Sequence, residues 1–209
     1  MRFGILVRAG NHAEIENLLQ REGIEVLRSW HTTGLELDRI VELEEHNNAE
    51  DVNEDGDEVD SRLINAHLTV TPLQLAIIAK QTKVIQVIIE HIANIEEAEE
   101  CQNALGEVLG SKAKLDFIDA IETYDKDDRS INGMNAFHLA SKYHPNAMRV
   151  IFDILNKKRV TYTNVINLLS ETNFDLKQTP LHVAVRNVTS CAARYKHVKN
   201  LISAFVKKF

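Results

Sequence analysis

Asp51, Asn53 and Asp55 stand at alternate positions, and Gly56 follows them. Three side-chain oxygens at that spacing, with a glycine to turn the chain, form the first half of a calcium loop, because a hard cation takes several oxygen ligands. The second half fails. The position that should supply a bidentate carboxylate is Arg62, and no second loop of this kind pairs with it. The surrounding stretch 47–60 carries almost no core-forming residue. It therefore reads as a solvated acidic extension, expected to be mobile, and no metal site is assigned to it.

Nine histidines are scattered along the chain, and none pairs at convincing metal-ligand spacing; His138 and His144 are six residues apart across a helix end. There is no G-x-x-x-x-G-K-[ST] phosphate loop, no G-x-G-x-x-G, no H-E-x-x-H and no C-x-x-C. No glycine-rich loop or strained elbow marks a nucleophile. The expectation is a chain that is not an enzyme, with no catalytic residues and no cofactor.

The informative residues are instead structural. Thr179-Pro180-Leu181-His182-Val183-Ala184 is echoed by Thr71-Pro72-Leu73-Gln74-Leu75-Ala76 and, more loosely, by Asn135-Ala136-Phe137-His138-Leu139-Ala140. Each position has a physical job. Thr or Asn offers a side-chain oxygen to a free N–H of the coming helix. Pro suits the first turn, where its missing N–H costs nothing. The apolar residues point inward, and the small Ala lets the helix lie close to a neighbour. A histidine here can bridge backbone groups of adjacent turns, with one ring nitrogen donating and the other accepting. A metal or catalytic role for His138 and His182 is the lesser reading.

These hexads match the T-P-L-H-x-A core of the ankyrin repeat, whose period is about 33 residues. The chain resembles that family over nearly its whole length. The N-terminal run Ile5–Leu19 resembles the later part of such a repeat, with Gly23 where a helix C-cap belongs. Thr71 and Asn135 lie 64 residues apart, close to two periods, so a degraded repeat is expected to begin near Asn103. Leu115, Phe117, Ile118 and Ile121 would then line its second helix. From Asn135 to Thr179 is 44 residues, and the excess is placed in 162–172, as a lengthened or additional helix. Leu35, Leu37, Ile40, Val41 and Leu43 are read as the helix of another poorly formed repeat.

The resemblance implies an all-α fold: an ankyrin-repeat solenoid of stacked helix-turn-helix units with short hairpin turns and an acidic insertion. One array would cover 1–209, divided near 1–30, 31–64, 65–98, 99–129, 130–172 and 173–209. Departures are common, since Gln74 replaces the motif histidine and most of the Gly-His pairs between helices are absent.

Composition agrees with such a chain. Apolar residues make up 44%, enough for a core, and no run of about 18 apolar residues could span a membrane. The N-terminus lacks the pattern of a signal peptide. Cys101 and Cys191 read as reduced thiols in a cytoplasmic or nuclear setting. Residues 129–209 carry a balance of +10 and residues 1–128 a balance of −17, within a net charge of −7. That polarity can steer an oppositely charged partner, although part of the acidity belongs to the solvated stretch. Nucleic-acid binding by the basic half ranks low, because aromatic residues are sparse there and the whole chain is acidic.

In the ankyrin family, partners bind the turn tips and the exposed side of each first helix. Carried over by position, the groove includes His67 and Leu68, with Ile78 and Ala79; Ile131, Asn132 and Met134, with Lys142 and Tyr143; and Asp175 and Gln178, with Arg186 and Asn187. Tyr143 and Arg186 are the leading contact residues, since tyrosine and arginine dominate binding energy at interfaces. The expected function is a monomeric, non-enzymatic scaffold that binds another protein, as an inhibitor or adaptor. The alternative is a regulatory or targeting module of a larger enzyme or secreted effector. Tyr195, Val198, Leu201, Ile202, Phe205 and Phe209, at helical spacing, would form the last helix of the array, or a face awaiting a partner.

Overall fold

The computed structural model describes residues 2–36, 65–117, 131–160, 163–174 and 176–186. The acidic stretch 47–60, the segment 195–209, Ile118, Ile121 and Cys191 lie outside them.

Caps and apolar spacing set the helices in order along the chain. The first three are α1 (Arg2–Arg8), α2 (His12–Glu22) and α3 (Glu25–Arg28). Asn11 caps α2 by accepting the Glu14 N–H, and Gly23 ends it at φ 69°, a conformation that suits a residue without a Cβ. Strands β1 (His31–Glu36) and β2 (Asn65–Val70) follow, and β2 runs directly into α4 (Pro72–Ile78). Next come α5 (Thr82–Ala93), α6 (Ala98–Gly110) and β3 (Lys114–Phe117). The last group is α7 (Ala136–Tyr143), α8 (Pro145–Lys157), α9 (Thr163–Leu168) and α10 (Pro180–Arg186).

The described residues are mostly helical, in line with the all-α reading. The departure from it is a three-stranded antiparallel sheet in the order β1-β2-β3. His31 pairs with Val70 and Glu36 with Asn65, while Ala66 pairs with Phe117 and Thr69 with Lys114. Leu35 therefore sits in a strand, not in the helix expected around it, and Leu115 and Phe117 sit in β3 rather than in a second helix. Local apolar spacing permitted either form; pairing between residues from 29 (Glu36 with Asn65) to 51 (Ala66 with Phe117) positions apart selected the strand.

The helices form three rows. α1, α4, α7 and α10 contact one another in succession, and so do α2, α5 and α8. The third row is α3, α6 and α9. Each of the first three units is thus a helical hairpin followed by a third helix. This arrangement corrects the repeat expected at Asn103. α6 begins at Ala98, so Asn103 lies within a helix instead of capping one. α4 packs directly on α7, and no layer intervenes. The 64-residue interval is one step of the stack, not two, because α6 packs in the third row. The excess after Asn135 is accounted for by α9 in the same row.

One continuous core runs through the rows. Ile85, Ile88, Ile89 and Ile92 of α5 are fully buried, at spacings that put them on one face. Phe137 of α7 stacks on Phe152 of α8 with ring centroids 5.7 Å apart. Cross-unit hydrogen bonds join the ends of the second row: Thr82 Oγ1 lies 2.9 Å from His144 Nε2, and Lys158 donates to Asn94 Oδ1 at 2.7 Å. No helix among the described residues is long and apolar enough to cross a membrane.

Candidate functional site

The repeated hexads build a brace between units. In α4 the cap Thr71 accepts the Gln74 N–H through Oγ1, and Gln74 Oε1 accepts the Thr71 N–H at 2.9 Å. The two orphan donors of the first turn are thereby satisfied reciprocally. The Gln74 amide then reaches into the next unit. Nε2 donates to the Ser111 carbonyl at 2.6 Å and toward the Met134 carbonyl at 3.4 Å.

His138 repeats this arrangement one unit on. Asn135 Oδ1 accepts the Phe137 and His138 N–H groups at 3.1 Å each, and the ring Nδ1 faces the Asn135 N–H at 3.4 Å. His138 Nε2 lies 2.8 Å from the Gln178 carbonyl, the residue just before the cap Thr179, as Met134 just precedes the cap Asn135. An Nε2–H tautomer serves the Gln178 carbonyl and the Asn135 N–H, while Nδ1 also lies 2.7 Å from Asn135 Oδ1. His138 is fully buried, and that burial lowers its pKa to about 4, against the raising effect of the Gln178 carbonyl. With its pKa lowered in this way, the ring is neutral at pH 7. Gln74 supplies the same acceptor and donor without a titratable group. At the end of the series, Thr179 and His182 repeat the cap, with Nδ1 facing the Thr179 N–H at 3.3 Å.

The loops before each cap are joined through the backbone. Ala113 N–H donates to Met134 O, and Gly133 N–H to Ala113 O, both at 2.8 Å. Phe174 N–H continues the line to Asn132 O at 3.3 Å. Gly133 adopts φ +77°, and a Cβ built there would overlap the Phe174 ring, so glycine alone allows this close approach. Asn173 Oδ1 accepts the Gln178 N–H at 2.8 Å and holds the last of these turns in shape.

Against this frame, the expected contact residues divide into three groups. Leu68, Ile131 and Met134 are buried to within 1% and belong to the core, so they are not available to a partner. The reason is local: strand alternation turns Leu68 and Val70 inward, and Ile131 and Met134 fill the space beneath the cap of α7. A second group is placed on the outside. Asn132, Lys142, Tyr143 and Gln178 are half-buried and Arg186 is exposed, as are the flanking Ile78 and Ala79 in part. Lys142 and Arg186 each stand seven residues after their cap, at equivalent positions on two helices in contact. Lys142 Nζ lies 5.5 Å from the centre of the Tyr143 ring. The third group, Asp175 and Asn187, lies outside the described residues, and of His67 only the backbone position in β2 is described.

Sequence reasoning missed Phe174, 51% exposed at a turn tip, and Val185, 50% exposed beside Arg186. The positional rule that selected Gln178 would also have reached Phe174, had the tip been drawn a few residues longer. Among the described residues no three potential metal ligands converge.

No family model matches the chain, and neither a curated protein nor a solved structure matches it. What the surface offers is a row of helix ends and tips bearing Lys142, Tyr143, Phe174 and Arg186 on a braced frame. Such a surface can present contacts to a macromolecule.

Proposed function

We propose that this chain is an ankyrin-type repeat array and that it acts as a non-enzymatic scaffold for another protein. Its units would each carry an added third helix. The single observation carrying the reading is the brace. The residue in the third position of α4 and of α7, Gln74 or His138, closes its own cap and reaches the carbonyl just before the next cap. Stacking of first helix on first helix, and of second on second, adds weight to it. Units held in this way form a stiff surface from which tips and helix ends project, and a preformed surface lowers the entropic cost of binding.

The partner would contact the tips and first-row helix ends, with Tyr143 and Arg186 central and Asn132, Lys142, Phe174 and Gln178 around them. The cations Lys142 and Arg186, at equivalent positions on neighbouring helices, favour an acidic patch on that partner. Inhibition or bridging of the partner follows from covering its surface.

Affinity capture with wild-type protein and a Tyr143→Ala/Arg186→Ala double variant tests this reading, after circular dichroism has shown both to be folded. A partner held by the wild type and lost by the variant is the expected result. Equal retention of every captured protein by both would refute the assignment of this surface.

A further inference from the structure

We infer that the groove between α3 and α6, edged by Trp30, is a docking site for an arginine-bearing basic segment of a partner protein. This inference does not rest on the scaffold reading, since the groove belongs to the third row of helices.

Two adjoining depressions, of about 410 and 580 Å³, share Arg28 and Glu107 in their walls. Leu27 and Val108 form an apolar floor, and both are buried. Trp30 stands at one side with 46% of its surface exposed, unusual for the largest side chain in the chain. Glu97, Glu99 and Glu100 line the other end. Four carboxylates, counting Glu107, stand against the single guanidinium of Arg28 there. Arg28 bonds Glu107 at 2.6 Å and also pairs with Glu25. Glu97, Glu99 and Glu100 form no ion pair among the described residues.

The occupant follows from charge and ring chemistry. The groove lies in the half of the chain whose balance is −17, which draws cations toward it. Trp30 already receives a cation, with Lys114 Nζ 5.5 Å from the ring centre. The electron-rich face of an indole attracts such a group, and a planar guanidinium stacks on it better than an ammonium does. Arg28 shows the second half of the recognition: one guanidinium bridging Glu107 of this wall and Glu25 of α3. An incoming arginine would stack on Trp30 while its neighbours meet Glu99 and Glu100.

Trp30 is the only tryptophan in the chain, so intrinsic emission reads the site directly. The probe is a capped octapeptide alternating arginine and glycine, with a citrulline version as the uncharged control. A saturable change in emission is expected with the arginine peptide, weakening as salt rises from about 0.05 to about 0.5 M. By calorimetry, Trp30→Ala should weaken binding about tenfold, and Glu99→Gln/Glu100→Gln about threefold. If Trp30→Ala does not fold, Trp30→Phe and the solvent-facing glutamine pair carry the test. Equal affinity of the wild type and these variants would overturn the inference, as would equal binding of the citrulline peptide or no binding at all. The competing occupant is the basic half of a second copy. Self-association in sedimentation that the glutamine pair abolishes would assign the groove to that copy and overturn the proposal.

Discussion

The neutral, buried ring of His138 makes the stability of the stack depend on pH in a way that a single substitution can isolate. An unfolded histidine titrates near 6.5, and in the folded chain burial lowers His138 to about 4. Between those values the unfolded state binds the proton and the folded state does not. Stability is therefore complete above about pH 6.5 and is lost as pH falls toward 4. The linkage amounts to a loss of about 2 kcal/mol between about pH 7 and pH 5, and about 3 kcal/mol by about pH 4. His31, His91 and His144 are also lowered by burial and add losses of the same sign. His138→Gln separates the terms, and the chain contains its own precedent in Gln74, which closes the same cap and makes the same reach. Urea unfolding followed by circular dichroism, at several pH values from 7 down to 5, is the assay. The variant should gain about 2 kcal/mol on the wild type over that range, because every other titrating group is common to both. If the difference between the two proteins stays within about 0.5 kcal/mol at all pH values, the ring is not held neutral by the stack and the reasoning fails.

Three further outcomes follow from the same contacts. Gln74→Ala removes the reciprocal cap bond and leaves the buried Thr71 N–H unpaired; it should cost about 2–3 kcal/mol in urea unfolding. Gly133→Ala places a Cβ at φ +77° against the Phe174 ring and 2.7 Å from the Phe174 backbone nitrogen, and a loss of at least about 1 kcal/mol is expected in the same measurement, with Phe174→Ala recovering only the part due to the ring. Burial of Cys101 in α6 pushes its thiol pKa up; alkylation mapped by mass spectrometry should be slow in native buffer and fast in urea, and rapid native modification would place this thiol outside the core.

Much of the frame was legible because caps are local. Thr71-Pro72 and Asn135 announced the starts of α4 and α7, and the pairing of a cap with its third helical residue can be read directly from the hexads. The backbone-bridging role of a histidine was legible too, and His138 fills it. The contact surface was less so. The family pattern marked Leu68, Ile131 and Met134 by position, but their side chains face the core. Trp30 carried no positional signal, since its exposure depends on how α3 packs on α6, and those helices are separated by about 70 residues of sequence.

The sequence by itself determined the starts of α4 and α7, the cap pairs Thr71–Gln74 and Asn135–His138, the acidic and basic halves, and the apolar faces that make a core. These are properties of neighbouring residues, fixed by hydrogen-bond geometry within a turn and by side-chain type. Only the tertiary structure decided which helix lies beside which. Ala98–Gly110 has the length and apolar spacing of a stack helix, yet it joins the third row, because α4 and α7 meet each other directly and leave no place between them. The same holds for residues 31–36 and 114–117, whose strands exist because β2 lies between them to take their hydrogen bonds. Long-range pairing outweighs the small local preference of a short segment, and no spacing in the chain records that competition.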